Sequence, residues 1–132
     1  MPDLQISYED VIICDQIRKE DNGKALLIGV YNQDIILNDI PGRVPLSIYV
    51  TGRVGKLKKD YQLEFRIRHN RKFIAGGEIV LEKNKVSNKF IIVLPSAPLE
   101  FEKKGKMTVE VRPLEGRWRT IKTMNVEKKK KD

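Results

Sequence analysis

Polar and apolar positions along the chain alternate in short blocks, and most blocks have the period of a strand. Tyr61, Leu63, Phe65 and Ile67 occupy every second position, with Gln62, Glu64, Arg66 and Arg68 between them. That is the pattern of a strand with one face inside and one in water. Leu46, Ile48 and Val50 alternate with Ser47 and Tyr49 in the same way, inside a segment from Val44 to Val54 that Gly52 and Gly55 interrupt. Met107, Val109 and Val111 form a third series. The segment from Tyr8 to Arg18 is apolar and β-branched around Val11, Ile12 and Ile13. A helix is the rival there, because Ser7 and Asp10 have the spacing of a capping box. Three β-branched residues in a row, and no stripe at i, i+3, i+4 and i+7, favour a strand.

Turn residues separate these blocks at intervals of about ten positions, the rhythm of an all-β chain. In Glu20-Asp21-Asn22-Gly23-Lys24, Asn22 and Gly23 tolerate the positive φ of a tight hairpin. The second arm of that hairpin, Ala25 to Tyr31, is apolar at both parities, and its Gly29 marks a bulge or a close backbone approach. Asp34 to Leu37 continues extended to a loop at Asn38 to Gly42. His69-Asn70-Arg71-Lys72 reads as a turn, followed by Phe73 to Ala75 and, past Gly76-Gly77, by Ile79 to Leu81. Phe90 to Leu94 is a strand that ends in a Pro-bounded crossing, Pro95 to Pro98. Lys103-Lys104-Gly105 and Leu114-Glu115-Gly116 frame the Met107 series. On the return from Trp118 to Val126, Ile121 is out of phase with Trp118, Met124 and Val126, which predicts a bulge near Thr120.

Seven to nine short strands without a convincing helix predict an all-β fold, an antiparallel β-sandwich, with a small OB-like barrel as the alternative. At 132 residues the chain is one domain and can bury roughly two-thirds of its unfolded surface. The domain is expected over 1–126, with 127–132 as a Lys-rich tail expected to be disordered.

The order ICDQIRKEDNGKALLIGVY, a Pro-Gly loop, a central strand ending in Gly, and a closing LEFEKKGKMTVEVRPLEGRWRTIKTMNV resembles an uncharacterised bacterial family of small β-sandwich proteins. The sharpest parts are Cys14-Asp15, Asn22-Gly23-Lys24, Ile28-Gly29-Val30 and the Gly105-to-Val111 strand with its return hairpin. The resemblance covers most of the chain. It implies an Ig-like cytoplasmic sandwich and brings no activity with it.

Composition narrows the function classes. The chain carries 26 Lys and Arg against 18 Asp and Glu, a net charge of +8, of which +6 lies on the body ahead of the tail. Its single cysteine, Cys14, excludes an intramolecular disulfide and a multi-cysteine metal cluster within one chain, which suits a reducing compartment. MPDLQISYED lacks the basic start and apolar core of an export signal, and no apolar run is long enough for a membrane-spanning helix, so a cytoplasmic location and no membrane partner are expected. His69 is the single histidine, expected as a solvated turn residue beside Arg68, Arg71 and Lys72. Cys14 reads as a small hydrophobe. Asp15, next to an apolar run, is expected to accept hydrogen bonds from loop backbone or an arginine. With Asn22, Gly23 and Gly29 it forms the structural set. No paired carboxylates, phosphate-cradling glycine loop, metal motif or cofactor motif is present, so an enzyme is not expected.

What remains is surface. Lys56, Lys58 and Lys59 share a loop; Arg66, Arg68, Arg71 and Lys72 share the outward parity of one strand and its turn; Arg112, Arg117, Arg119 and Lys122 span the last hairpin. These three groups are the candidate surface for a nucleic acid or an acidic protein. Single-strand binders also need exposed aromatic rings. Tyr61, Phe65, Phe73, Phe90 and Trp118 fall on core parities, which leaves Tyr49 as the outward ring. The expected function is a protein-interaction module, with a nucleic-acid binder reading the phosphate backbone as the alternative. A homodimer through edge strands is a further expectation.

Overall fold

A computed structural model of the chain describes residues 5–130. Among them are nine strands: β1 (Ile6–Lys19), β2 (Ala25–Val30), β3 (Ile35–Leu37), β4 (Gly42–Val54), β5 (Tyr61–His69), β6 (Lys72–Leu81), β7 (Lys89–Phe101), β8 (Gly105–Pro113) and β9 (Arg119–Lys128). A four-stranded sheet, β2-β1-β4-β7, packs on a five-stranded sheet, β3-β9-β8-β5-β6. Neighbours are antiparallel throughout, except that β3 runs parallel to β9. The expected β-sandwich is the fold.

The alternation seen in the sequence sorts the two faces. Along β4, Val44, Leu46, Ile48, Val50 and Val54 are buried, while Arg43, Pro45, Tyr49 and Arg53 point away. Ile13, Ile48 and Phe90 meet Leu63, Met107 and Val126 of the other sheet in one core. The scatter of apolar residues early in β1 has a local cause. The register against β4 shifts between Tyr8 and Asp10, so Glu9 is an extra residue and both Tyr8 and Val11 turn to the core. Ser7 and Asp10 therefore sit in a strand, and their capping-box spacing has no helix to cap.

The first hairpin closes with Gly23 N–H donating to Glu20 O at 3.0 Å and Lys24 N–H donating to Asn22 Oδ1 at 3.0 Å. Of the two turn residues, Gly23 alone takes a positive φ, at 84°, so Asn22 serves through its side chain. The expected bulge in β9 is present: Val109 pairs with Lys122 and Glu110 with Thr120, leaving Ile121 as the extra residue.

Two expectations are corrected. The Pro95-to-Pro98 segment is not a crossing but part of β7, where Pro98 pairs with Pro45 beyond a register shift at Leu46/Ile48. Proline is tolerated because β7 is an edge strand whose outer N–H groups have no ladder to join. The segment read as a tail also begins too early. Glu127 and Lys128 belong to β9, paired with Ile36 and Leu37, and Lys129 N–H donates to Leu37 O at 2.7 Å. Residues 131–132 lie outside the described residues.

Candidate binding surfaces

The sheet register brings part of two sequence clusters together. Arg66 pairs with Glu110 and Glu64 with Arg112 across β5 and β8, so these side chains share the outer face of the five-stranded sheet. Glu110 is the hub. It accepts from Arg66 Nε at 2.6 Å and from Thr120 Oγ1 at 3.3 Å, and Arg68 Nη1 stands 3.6 Å away. Arg112 Nη2 reaches both oxygens of Glu64 at 3.3 Å. The Arg66 and Arg112 guanidinium carbons lie 4.1 and 4.4 Å from the centroid of the Trp118 indole. Beside them opens a cleft of about 460 Å³, lined by Arg68, Asn70, Arg71, Lys106, Thr108 and Glu110.

The turn at the mouth of that cleft is built to hold its shape. Asn70 and Arg71 both take positive φ, 50° and 69°, between paired His69 and Lys72, a tight two-residue hairpin. Arg68 Nε and Nη2 donate to Arg71 O at 3.1 and 2.8 Å. Asn70 Nδ2 donates to Lys104 O at 2.9 Å, and Asn70 Oδ1 accepts from Lys106 N–H at 3.1 Å.

Parity places the two aromatic side chains of this face, Phe73 and Trp118, in the core, and the structure corrects both. Phe73 is 62% exposed and stands opposite Arg68 in the ladder, its ring within 2.9 Å of where a Cβ on Gly76 would sit. The register shift that adds Ile74 to β6 reverses the parity of what precedes it. Trp118 precedes β9 in the hairpin and lies on the arginines. Three apolar residues in a row, Phe73-Ile74-Ala75, hid the first; a position outside any strand hid the second. Tyr49 does face outward, in a row with Ile12 and Val93 across the other sheet.

Other members of the clusters lie elsewhere. Lys72 is exposed at the turn and Arg117 in the last hairpin. Arg119 lies over the Tyr8 ring at 5.7 Å; burial pushes the Tyr8 phenol up to about 12 against the opposing pull of Arg119. Lys122 is half-buried at the bulge, opposite core-facing Val109. Lys56 joins Lys83 in a cleft of about 500 Å³ with Leu57, Val86 and Asn88, and Lys58 and Lys59 are exposed in the same loop.

A second surface is the seam between β6 and β7. These strands are edges of opposite sheets, joined by the 82–88 connection. Between them lie a groove of about 560 Å³ reaching Ile79, Leu81, Phe90 and Ile92 and, farther along, a pocket of about 190 Å³ reaching Leu46, Ile67 and Leu99. Ile91, Val93, Val80 and Phe73 are exposed along the two strands.

Asp15, Asn22, Gly23 and Gly29 lie in the first hairpin. Asp15 faces Gly29 across the ladder and accepts from the Tyr31 hydroxyl at 2.6 Å, a partner not anticipated. Gly29, at φ 68°, is a close approach: a Cβ there would lie 2.3 Å from Asp15 Oδ2. Burial, then the bond to Asp15, pushes the Tyr31 phenol up. Cys14 is fully buried, and burial raises its thiol. His69 is corrected from a solvated residue to a buried one. It packs edge-on against Phe101 at 5.1 Å, its Nε2 has no hydrogen-bond partner, and burial lowers its pKa. It continues the inward parity of Leu63 and Ile67 to the last residue of β5. Among the described residues, no group of three His, Cys, Asp or Glu is placed to share a metal ion.

No protein-family model matches the chain, and no curated protein matches it in sequence.

Proposed function

We propose that the protein is a non-enzymatic protein-interaction module that receives an extended segment of a partner along the seam between β6 and β7. The observation that carries this reading is the seam itself: two unpaired strand edges flank an opening whose floor is core side chains. An added strand satisfies the free backbone groups of an edge, and its alternate side chains fill pockets. Lys89 to Leu94 is the edge it joins, because Pro95 and Pro98 lack the N–H groups of a continuous ladder. One side of that new strand meets Ile91 and Val93, which are 64% and 46% exposed. The other side enters the groove toward Ile79 and Phe90. Lys56, Lys83, Lys85 and Lys89 stand at one end of the seam, so the segment that fits alternates apolar residues and runs into acidic ones. The single histidine and the single cysteine are both buried, which removes the two side chains most suited to catalysis from solvent contact.

The test is selection of peptides from a displayed random library on the immobilised protein. Alternating apolar peptides with acidic ends, whose binding Ile91→Glu and Val93→Glu abolish without changing the melting temperature by more than a few degrees, support the reading. Absence of such a consensus, or binders indifferent to both substitutions, overturns it. Sedimentation showing a dimer that Ile91→Glu dissolves assigns the seam to a second copy instead.

A further inference from the structure

We propose that the outer face of the five-stranded sheet binds single-stranded nucleic acid, independently of the β6/β7 seam. A sequence-tolerant single-strand site needs cations that track the phosphates and flat rings on which bases stack. This face carries both. Arg68, Arg71 and Lys106 ring one cleft, and neither Arg71 nor Lys106 has an acidic partner among the described residues. Thr108 and Asn70 add hydrogen-bonding groups to the same wall. Phe73 flanks the cleft opposite Arg68, and Trp118 lies at the far end of the arginine row that Glu110 joins.

Glu64 and Glu110 do not turn the face acidic. They fix three guanidiniums in place on the sheet, which lowers the ordering cost of phosphate binding. The turn tells the same way. Arg71 holds a left-handed backbone position that glycine occupies at no steric cost, and its side chain is presented to the cleft from there. A duplex is disfavoured as ligand. Its bases are already stacked on one another, which leaves none free to stack on Phe73 or Trp118.

The experiment uses the full chain and a fluorescein-labelled oligothymidylate of about twelve nucleotides, within the range of ~4–16 typical of sheet-based sites. Trp118, the sole tryptophan, gives a second readout by quenching with the unlabelled strand. Three phosphate contacts predict a log-log salt slope of about −2 and an about twenty-fold loss of affinity from 50 to 200 mM salt. Arg71→Glu and Lys106→Glu are expected to flatten that slope, and Phe73→Ser to weaken binding about five-fold or more. All three sites are exposed, and a thermal melt of each variant shows whether it folds. No salt-dependent binding at the lower salt, equal affinity for a duplex of the same length, or affinity unchanged in folded variants each overturns the proposal.

Discussion

Replacing Glu110 with Gln tests whether the arginine face is held together by its one buried carboxylate. The Glu110 side chain is 11% exposed and that of Arg66 is 24% exposed, so the pair lies between two regimes. Breaking a fully buried pair costs about 3–5 kcal/mol and losing an exposed one about 0–1 kcal/mol. Glutamine keeps an oxygen for the 2.6 Å bond from Arg66 but loses its charge, and a charge-assisted bond is about twice as strong as a neutral one. Two guanidiniums, Arg66 and Arg68, also lose their shared counter-charge. Together these place the loss near 2 kcal/mol, or roughly 6–10 °C in melting temperature for a domain of this size. Urea unfolding followed by far-ultraviolet circular dichroism measures it without relying on Trp118, which itself rests on Arg66. A stability change below about 0.5 kcal/mol, the usual span of a surface substitution, would refute the claim that this carboxylate organises the face.

Three further outcomes are expected. His69 has a folded pKa lowered by burial from its ordinary 6.5, so the unfolded chain takes up the proton first as pH falls. The stability contributed by its neutral form is therefore full above about pH 6.5 and is lost as pH falls from there toward the folded pKa; urea titrations of wild type and His69→Phe should diverge only below that point. Gly29→Ala should cost about 2 kcal/mol or more, because positive φ and a clash with Asp15 add, whereas Gly23→Ala, with nothing within 4 Å of its Cβ, should cost only about 1 kcal/mol for backbone strain. Equal losses in denaturant melts would contradict the close approach at Asp15. Cys14 should give no reaction with a disulfide reagent in the native protein and one equivalent in denaturant; a rapid native reaction would show that the first sheet opens at β1.

How far the fold was legible follows from how regular each segment is. β4, β5 and β8 carry clean alternation, and their inward faces are those the pattern marks. Irregularities were legible where residue type marked them, as with an apolar residue out of phase at Ile121 and a glycine at Gly29. They were hidden where every neighbour is apolar: the extra residue at Ile74 moves Phe73 outward with no change in composition. The prolines of β7 misled because a sequence does not show which strand will be an edge. His69 was misplaced for a related reason, since its charged neighbours are outward while its own parity is inward. For the candidate surfaces, the cations were readable one strand at a time, but their gathering was not. The β5/β8 register joins Arg66 to Glu110 and Arg112 to Glu64 over 44 and 48 positions of sequence. The seam could not be read at all, since it exists only between edges of two different sheets.

The most direct measurement of the central claim is amide hydrogen exchange of the protein with and without a peptide selected on it. Strand entry along the seam predicts slowed exchange confined to Lys89 to Leu94 and the facing part of β6 near Ile79 to Leu81. Protection instead at β2, at β3 or along the outer face of the five-stranded sheet, with β7 unchanged, would contradict it.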